Sequence, residues 1–162
     1  MVLSFLKVNI QTSTEGALNR ECSSLQSISG HSRPVYSACI AGFGIDTAIA
    51  VRPQVQNLLS NAIKYGKDGK HVYVELECLE QEVQIRVTNY GLVIPEESIK
   101  HLFDKFYRVE RSRNVKTGGT GLGLNIAQEI VHLHGGRIQV TSGASGTCFT
   151  IALPLHKEEE EE

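Results

Sequence analysis

The sequence predicts an α+β domain, a two-layer sandwich in which a mixed, mostly antiparallel sheet carries helices on one face. Three observations predict it. Val72, Val74 and Leu76, and then Val83, Ile85 and Val87, recur at every second position, the pattern of a hairpin buried on one side. Pro53–Tyr65 and Gly121–His134 each space apolar residues at helical period, so each needs an apolar surface to cover. Finally, Lys116–Leu124 reads KTGGTGLGL and runs straight into the second of those helices.

In chain order, Leu3–Ile10 is expected as an edge strand and Glu15–Leu25 as a helix of poor period. Pro34–Ile40 reads as a strand ending in the turn AGFG at Ala41–Gly44. Pro53 suits a first helical turn, where its missing N–H costs nothing, and Gly66 ends that helix with Lys64 in its last turn. The hairpin turns at Glu80–Glu82, and its second strand ends at Thr88-Asn89-Tyr90-Gly91. Ile94-Pro95-Glu96-Glu97 is a helix start, with proline and two acidic residues in the first turn. Leu102, Phe103, Phe106 and Tyr107 follow, then the basic stretch Arg108–Lys116, a pattern expected of a lid with one anchored and one moving part. In the helix from Gly121, Leu122, Ile126, Ile130 and Leu133 form one stripe, with Leu124, Ala127 and Val131 beside it. His134 is expected to cap its C-terminal end. Arg137–Thr141 and Thr147–Leu155 complete the sheet, and Lys157–Glu162 is an acidic tail expected to be solvated and disordered.

A chain of 162 residues with net charge −2 and 41% hydrophobic residues has the composition of one soluble domain. That balance excludes a large basic face for nucleic acid. Cys22, Cys39, Cys78 and Cys148 form no C-x-x-C pair, so neither a zinc site nor a disulfide framework is indicated, and a reduced cytoplasmic setting is expected. The apolar runs at the N-terminus and at Ala38–Ile45 are too short for a signal or a membrane span, so no membrane contact is expected from this segment.

The chemistry concentrates in two places. Gly118, Gly119, Gly121 and Gly123 remove the side chains that would hold an anion away, and the helix that follows offers unpaired N–H groups to the same point. A phosphate site is the economical reading. The spacing is not that of a Walker A loop, and no strand leads directly into it as a dinucleotide fingerprint requires. On the helix Pro53–Tyr65, Asn57, Asn61, Lys64 and Tyr65 share one face, with Val55, Leu58, Leu59, Ala62 and Ile63 on the other. A solvated surface explains most polar faces. Two asparagines one turn apart, however, lower helix stability for no structural return, and their amide oxygens are suitable ligands for Mg²⁺.

Together these stretches resemble the ATP-binding catalytic domain of sensor histidine kinases, in the wider family of gyrase-, Hsp90- and MutL-type ATPases. NLLSNAIKY at Asn57–Tyr65 is similar to the N box, NYGLVIP at Asn89–Pro95 to the first glycine box, LFDKFYR at Leu102–Arg108 to the F box, and GGTGLGL at Gly118–Leu124 to the second glycine box. HGGRIQV followed by GTCFTIALP resembles the kinase-type ending. The resemblance covers about Pro53–Leu155 and implies a Bergerat-type fold that binds ATP with Mg²⁺.

Carried over residue by residue, the resemblance implies that Asn61 holds the metal with Asn57 near it. Lys64 would meet a phosphate, Tyr65 would pack near adenine, and Arg108 would approach from the lid. Asn89 would face the adenine edge with Thr147 in support, and Gly119, Gly121 and Gly123 would line the triphosphate. The same motifs place Gly91, Ile94, Tyr107, Thr120, Leu122 and Leu124 along the nucleotide. Asn57, Lys64 and Arg108 are the candidates to act on the transferring phosphoryl group.

Two positions depart from the pattern. Asn89 stands where the family has aspartate, which should cost about 1 kcal/mol in binding and weaken discrimination against guanine nucleotides. Val93 stands where it has glycine, which is expected to reshape the lid hinge. Asn57 replaces the glutamate that activates water in hydrolytic relatives, so steady ATP hydrolysis is not expected. His31-Ser32-Arg33-Pro34 lies too close to the asparagine helix to sit on a two-helix phosphoacceptor hairpin, and His31 is read as a surface residue.

The expected function is transfer of the γ-phosphoryl group of Mg·ATP to a histidine on a separate dimerisation domain, of the same or a partner chain, with a response regulator downstream. The expected setting is cytoplasmic, as a free protein or the inner part of a membrane-anchored receptor. A degenerate, binding-only module of the same fold is the alternative. Residues 1–50 are assigned as an N-terminal strand and helix of the same domain, 51–156 as the ATP-binding core with its lid at 91–120, and 157–162 as the tail.

Overall fold

The computed structural model describes residues 2–11, 44–66, 71–91, 93–109 and 120–155, with the backbone alone at 2–11 and Ile45. The expected elements at Glu15–Leu25 and Pro34–Ile40, the turn at Ala41, His31 and the acidic tail lie outside the described residues.

Five strands form one sheet: β1 (Val2–Gln11), β2 (His71–Leu79), β3 (Glu82–Asn89), β4 (Arg137–Gly143) and β5 (Gly146–Pro154), in the order β1-β2-β3-β5-β4. Every strand pairing among the described residues is antiparallel, so the mixed component of the expected sheet is not among them. The register follows from the alternation. Val74 pairs with Val87, Leu76 with Ile85 and Cys78 with Val83, which puts the whole apolar set on one face. β5 and β4 continue the rows: Val87, Phe149 and Val140 form one, Ile85, Ile151 and Ile138 the next. The last row toward the Asn89 end is different, because Asn89, Thr147 and Ser142 are all polar. On the outer face Arg86 pairs with Glu77, as a half-exposed surface ion pair.

Helices cover the inner face. α1 spans Ile45–Tyr65, begins after Gly44 (φ 75°), and ends at Gly66, whose N–H bonds the Ala62 carbonyl. Its start corrects the expectation that Pro53 opens the helix: Pro53 lies inside it. Asp46 stabilises the first turn through the helix dipole. The buried stripe Val51, Gln54, Leu58 and Ala62 begins before the proline, so packing overrides the lost N–H to the Ile49 carbonyl. Leu58 on the helix and Ile151 and Leu153 on the sheet are fully buried. Each such side chain contributes about 1.5–3 kcal/mol.

A four-residue helix, α2 (Glu96–Ile99), follows Pro95, and the chain then runs in turns that bury Leu102. The last helix, α3, spans Gly123–Leu133, since the positive φ of Gly121 (73°) keeps it out of the helix. Its buried line is Ala127 and Val131, with Leu124 packed against the core, whereas Ile126 is 48% and Leu133 82% exposed. The helix therefore packs along the edge of its apolar arc against α1 and β4, which leaves Ile126 and Leu133 exposed and Leu122 and Ile130 half-buried. The apolar arc is wider than one contact can cover, and period alone does not say which edge is chosen. His134 caps the end as expected, its Nδ1 2.8 Å from the Ile130 carbonyl.

Cys148 is a free thiol, while Cys78, fully buried, is disulfide-bonded, although the cysteine spacing indicates no disulfide framework. The spacing of four distant cysteines carries no information on pairing. No helix among the described residues is long and apolar enough to cross a membrane.

Candidate nucleotide site

The polar end row of the sheet, the polar face of α1 and the N-terminus of α3 meet around one cavity of about 370 Å³. Helical spacing brings Asn57, Asn61, Lys64 and Tyr65 to its wall, with Ser60 between them. Asn89 and Thr147, 3% and 4% exposed and directly opposite each other across β3 and β5, close one end above Phe149. The segment from Ile94 supplies Leu102, Tyr107, Arg108 and Val109, and the glycine stretch supplies Thr120, Gly121, Gly123 and Leu124.

Two glycines shape the side of the cavity beside α3. At Gly123 a Cβ would lie 2.7 Å from Asn57 Nδ2 and 2.9 Å from its Oδ1, so only glycine lets the start of α3 close on that carboxamide. Gly121 combines positive φ with a close approach to the Phe106 backbone, whose N–H donates to the Gly121 carbonyl at 3.1 Å. Phe106 is itself held at φ 66°, the one positive value for a non-glycine among the described residues. Asn125 Nδ2 donates to the Phe103 carbonyl at 3.0 Å, a second tie between α3 and the aromatic segment. Among the described residues no side chain caps the N-terminus of α3, which leaves its first amides open to an anion.

Charge supports that chemistry. Among the described residues, Lys64 and Arg108 line the cavity and no carboxylate does. The Lys64 ammonium sits 5.1 Å from the Tyr65 ring centroid, held by the ring face. No group of three or more His, Cys, Asp or Glu side chains among the described residues could hold a metal ion, and the described side-chain oxygens in the cavity wall belong to carboxamides and hydroxyls. The main titration shifts lie elsewhere. At the opposite end of β3, a two-bonded Arg137 guanidinium (2.7 and 2.9 Å) and Gln84 hold Glu82 below the usual carboxylate range.

Most of the residues expected from sequence thus converge, and two of the described ones do not. Gly91 lies against the end of α1, where a Cβ would meet the Tyr65 carbonyl and Gly66, so it seats the sheet on the helix. Leu122 is the N-terminal cap position of α3 and does not line the cavity. Gly119 lies outside the described residues. Sequence reasoning missed Ser60, Leu102, Val109 and Phe149. Ser60 was recoverable one turn from Asn57 and Lys64, and Phe149 two residues from Thr147 on the same face. Nothing in the local sequence marks Leu102 or Val109.

Comparison with known proteins agrees with this geometry. The family model described as histidine kinase-, DNA gyrase B- and HSP90-like ATPase matches residues 47–157. The chain is 42% identical to sensor histidine kinase WalK of Bacillus subtilis over 111 residues, which is 67% of this chain but 18% of that kinase. Among solved structures, the mycobacterial sensor histidine kinase MprB superposes with a TM-score of 0.57 at 31% identity, covering 64% of this chain and 71% of that one. The catalytic domain of histidine kinase ThkA, nucleotide-free, superposes at 0.56 and 28% identity, covering 67% and 69%. The chain belongs to the histidine kinase-, DNA gyrase B- and HSP90-like ATPase family, in which it is homologous to the catalytic domains of sensor histidine kinases.

Proposed function

We propose that this chain binds Mg·ATP in the cavity between α1, α3 and the polar end of the sheet, and presents the γ-phosphoryl group to a histidine on a separate dimerisation domain. The observation that carries the reading is the convergence of Asn61, Lys64, Arg108, Gly121 and Gly123 from three distant stretches on one cavity that no described carboxylate lines. Asn89 and Thr147 take the base, Tyr65, Ile94 and Tyr107 pack beside it, and the uncapped amides of α3 with Lys64 and Arg108 take the phosphates. Thr120 and Leu124 wall the phosphate side, and Gly119 and Leu122 belong to the same glycine-rich stretch of sequence.

The donor set fits Mg²⁺ bound mainly through phosphate oxygens, with Asn61 as protein ligand and Asn57 beside it, an arrangement usual for this ion. Bound there, the ion would neutralise charge on the phosphates. Phosphoryl transfer then needs positioning and charge more than covalent help, and that is what these side chains offer. Asn57 cannot take a proton from water near neutral pH, which favours transfer to a protein acceptor over hydrolysis. The partners are the phosphoacceptor domain and a response regulator, on the cytoplasmic side of a receptor, with residues 91–120 as the lid. A binding-only module is the weaker reading, because the metal-ligand position, the cations and the described part of the second glycine box are all in place.

Calorimetric titration with a non-hydrolysable ATP analogue, with and without Mg²⁺, tests the reading. Mg²⁺-sensitive binding that Asn61→Ala abolishes is the expected result. Absence of binding at millimolar analogue would overturn it.

A further inference from the structure

Ser142 stands at the base end of the cavity without a part in the reading above. It lies on the edge strand β4 opposite Thr147 on β5, which lies opposite Asn89 on β3. Its Oγ takes the Ile94 N–H at 2.9 Å and is 2.6 Å from Thr147 Oγ1. Ile94 opens the segment leading to Tyr107 and Arg108, and Thr147 lines the cavity. One hydroxyl therefore joins the root of that segment to a buried hydroxyl in the cavity wall.

The first bond favours one direction for the second. A backbone amide only donates, so Ser142 Oγ is the acceptor from Ile94. Hydrogen bonds that run in one direction polarise and strengthen each other. The favoured chain is Ile94 N–H to Ser142 Oγ, then Ser142 O–H to Thr147 Oγ1. Thr147 is left with its own proton facing the cavity, where a ring nitrogen of a purine is a suitable acceptor.

We propose that Ser142 is a positioning residue for the base: by holding the Thr147 oxygen as an acceptor, it turns the Thr147 hydroxyl proton toward the ligand. This rests on the nucleotide reading of the cavity. With Ser142 removed, the Thr147 hydroxyl rotates freely and the Ile94 amide loses its acceptor.

The test is a binding series on the full chain with ATP and with deaza analogues of ATP, each having one purine ring nitrogen replaced by C–H. The wild-type chain should bind one of these analogues about five- to tenfold more weakly than ATP, as loss of one hydrogen bond predicts. Ser142→Ala should erase most of that difference, and Ser142→Thr, which keeps the hydroxyl, should preserve it. A Ser142→Ala variant that binds ATP and the analogue weaker by the same factor would reduce Ser142 to a structural residue and overturn the proposal. Equal binding of ATP and every analogue by the wild-type chain would overturn it too. Failure of the wild-type chain to bind ATP at all would instead remove the nucleotide reading, and this proposal with it.

Discussion

Gly123→Ala separates ligand binding from fold stability at a single methyl group. Gly123 is the first residue of α3 and has no positive φ, so alanine is acceptable to the backbone and gains up to about 1 kcal/mol of helix propensity. The new Cβ, however, would stand 2.7 Å from Asn57 Nδ2, where ordinary contact begins near 3.4 Å. The Asn57 carboxamide must retreat by about 0.7 Å or leave its rotamer, at a cost of order 0.5–1.5 kcal/mol. Losing its contact with the ligand costs ~1 kcal/mol, so affinity for the ATP analogue should fall about fivefold. Melting temperature should stay within a few degrees. Calorimetry and thermal melts on the same samples read both quantities, and a cycle with Asn57→Ala assigns the cause. Once Asn57 is truncated, Gly123→Ala should have little further effect on binding. Additive losses in that cycle would refute the clash, as would a fall in affinity matched by a fall in stability.

Three further outcomes are expected. Asn89→Asp should raise selectivity for ATP over GTP roughly five- to tenfold in competition binding, since a carboxylate accepts from the adenine amine and repels the guanine oxygen; an unchanged ratio counts against Asn89 as the base reader. Pro53→Ala restores a donor for the Ile49 carbonyl inside α1 and should stabilise the chain by about 1–3 kcal/mol, read as a melting temperature higher by several degrees with nucleotide affinity unchanged; no shift would mean the helix does not run through residue 53. Glu82 is held below its ordinary value of 4.5 by Arg137 first and Gln84 second, so its stabilisation is present above that pH and is lost as pH falls through the lower native value. Arg137→Gln should therefore make the acid limb of the stability curve shallower, by under about 1 kcal/mol because the pair is partly exposed, and an identical limb in both proteins would show that the pair contributes nothing.

The hairpin was legible because strict alternation leaves one register in which every apolar residue points the same way, and Val74 opposite Val87 follows from it. The cavity was legible because its residues come from motifs whose polarity conflicts with their local structure, such as two asparagines in a helix. The start of α1 was not, because a proline normally marks a first turn, and only the buried line from Val51 to Ala62 shows that packing carries the helix through it. The exposed stripe of α3 was misassigned for a related reason: seven apolar residues on one helix exceed what a single contact can bury. Ser142 was invisible because its role depends on two partners, Ile94 and Thr147, one of them 48 residues away.

The polar end row of the sheet makes strand pairing and ligand recognition the same event. Because side chains alternate with period two, a slip of β5 by one residue against β3 would turn Thr147 to the outer face, away from Asn89, and would press Cys148 and Thr150 into the apolar layer. Misregistered chains would thus be blind to the ligand as well as poorly packed. A ligand-affinity step would then double as a test of correct folding, retaining only molecules whose strands are in step.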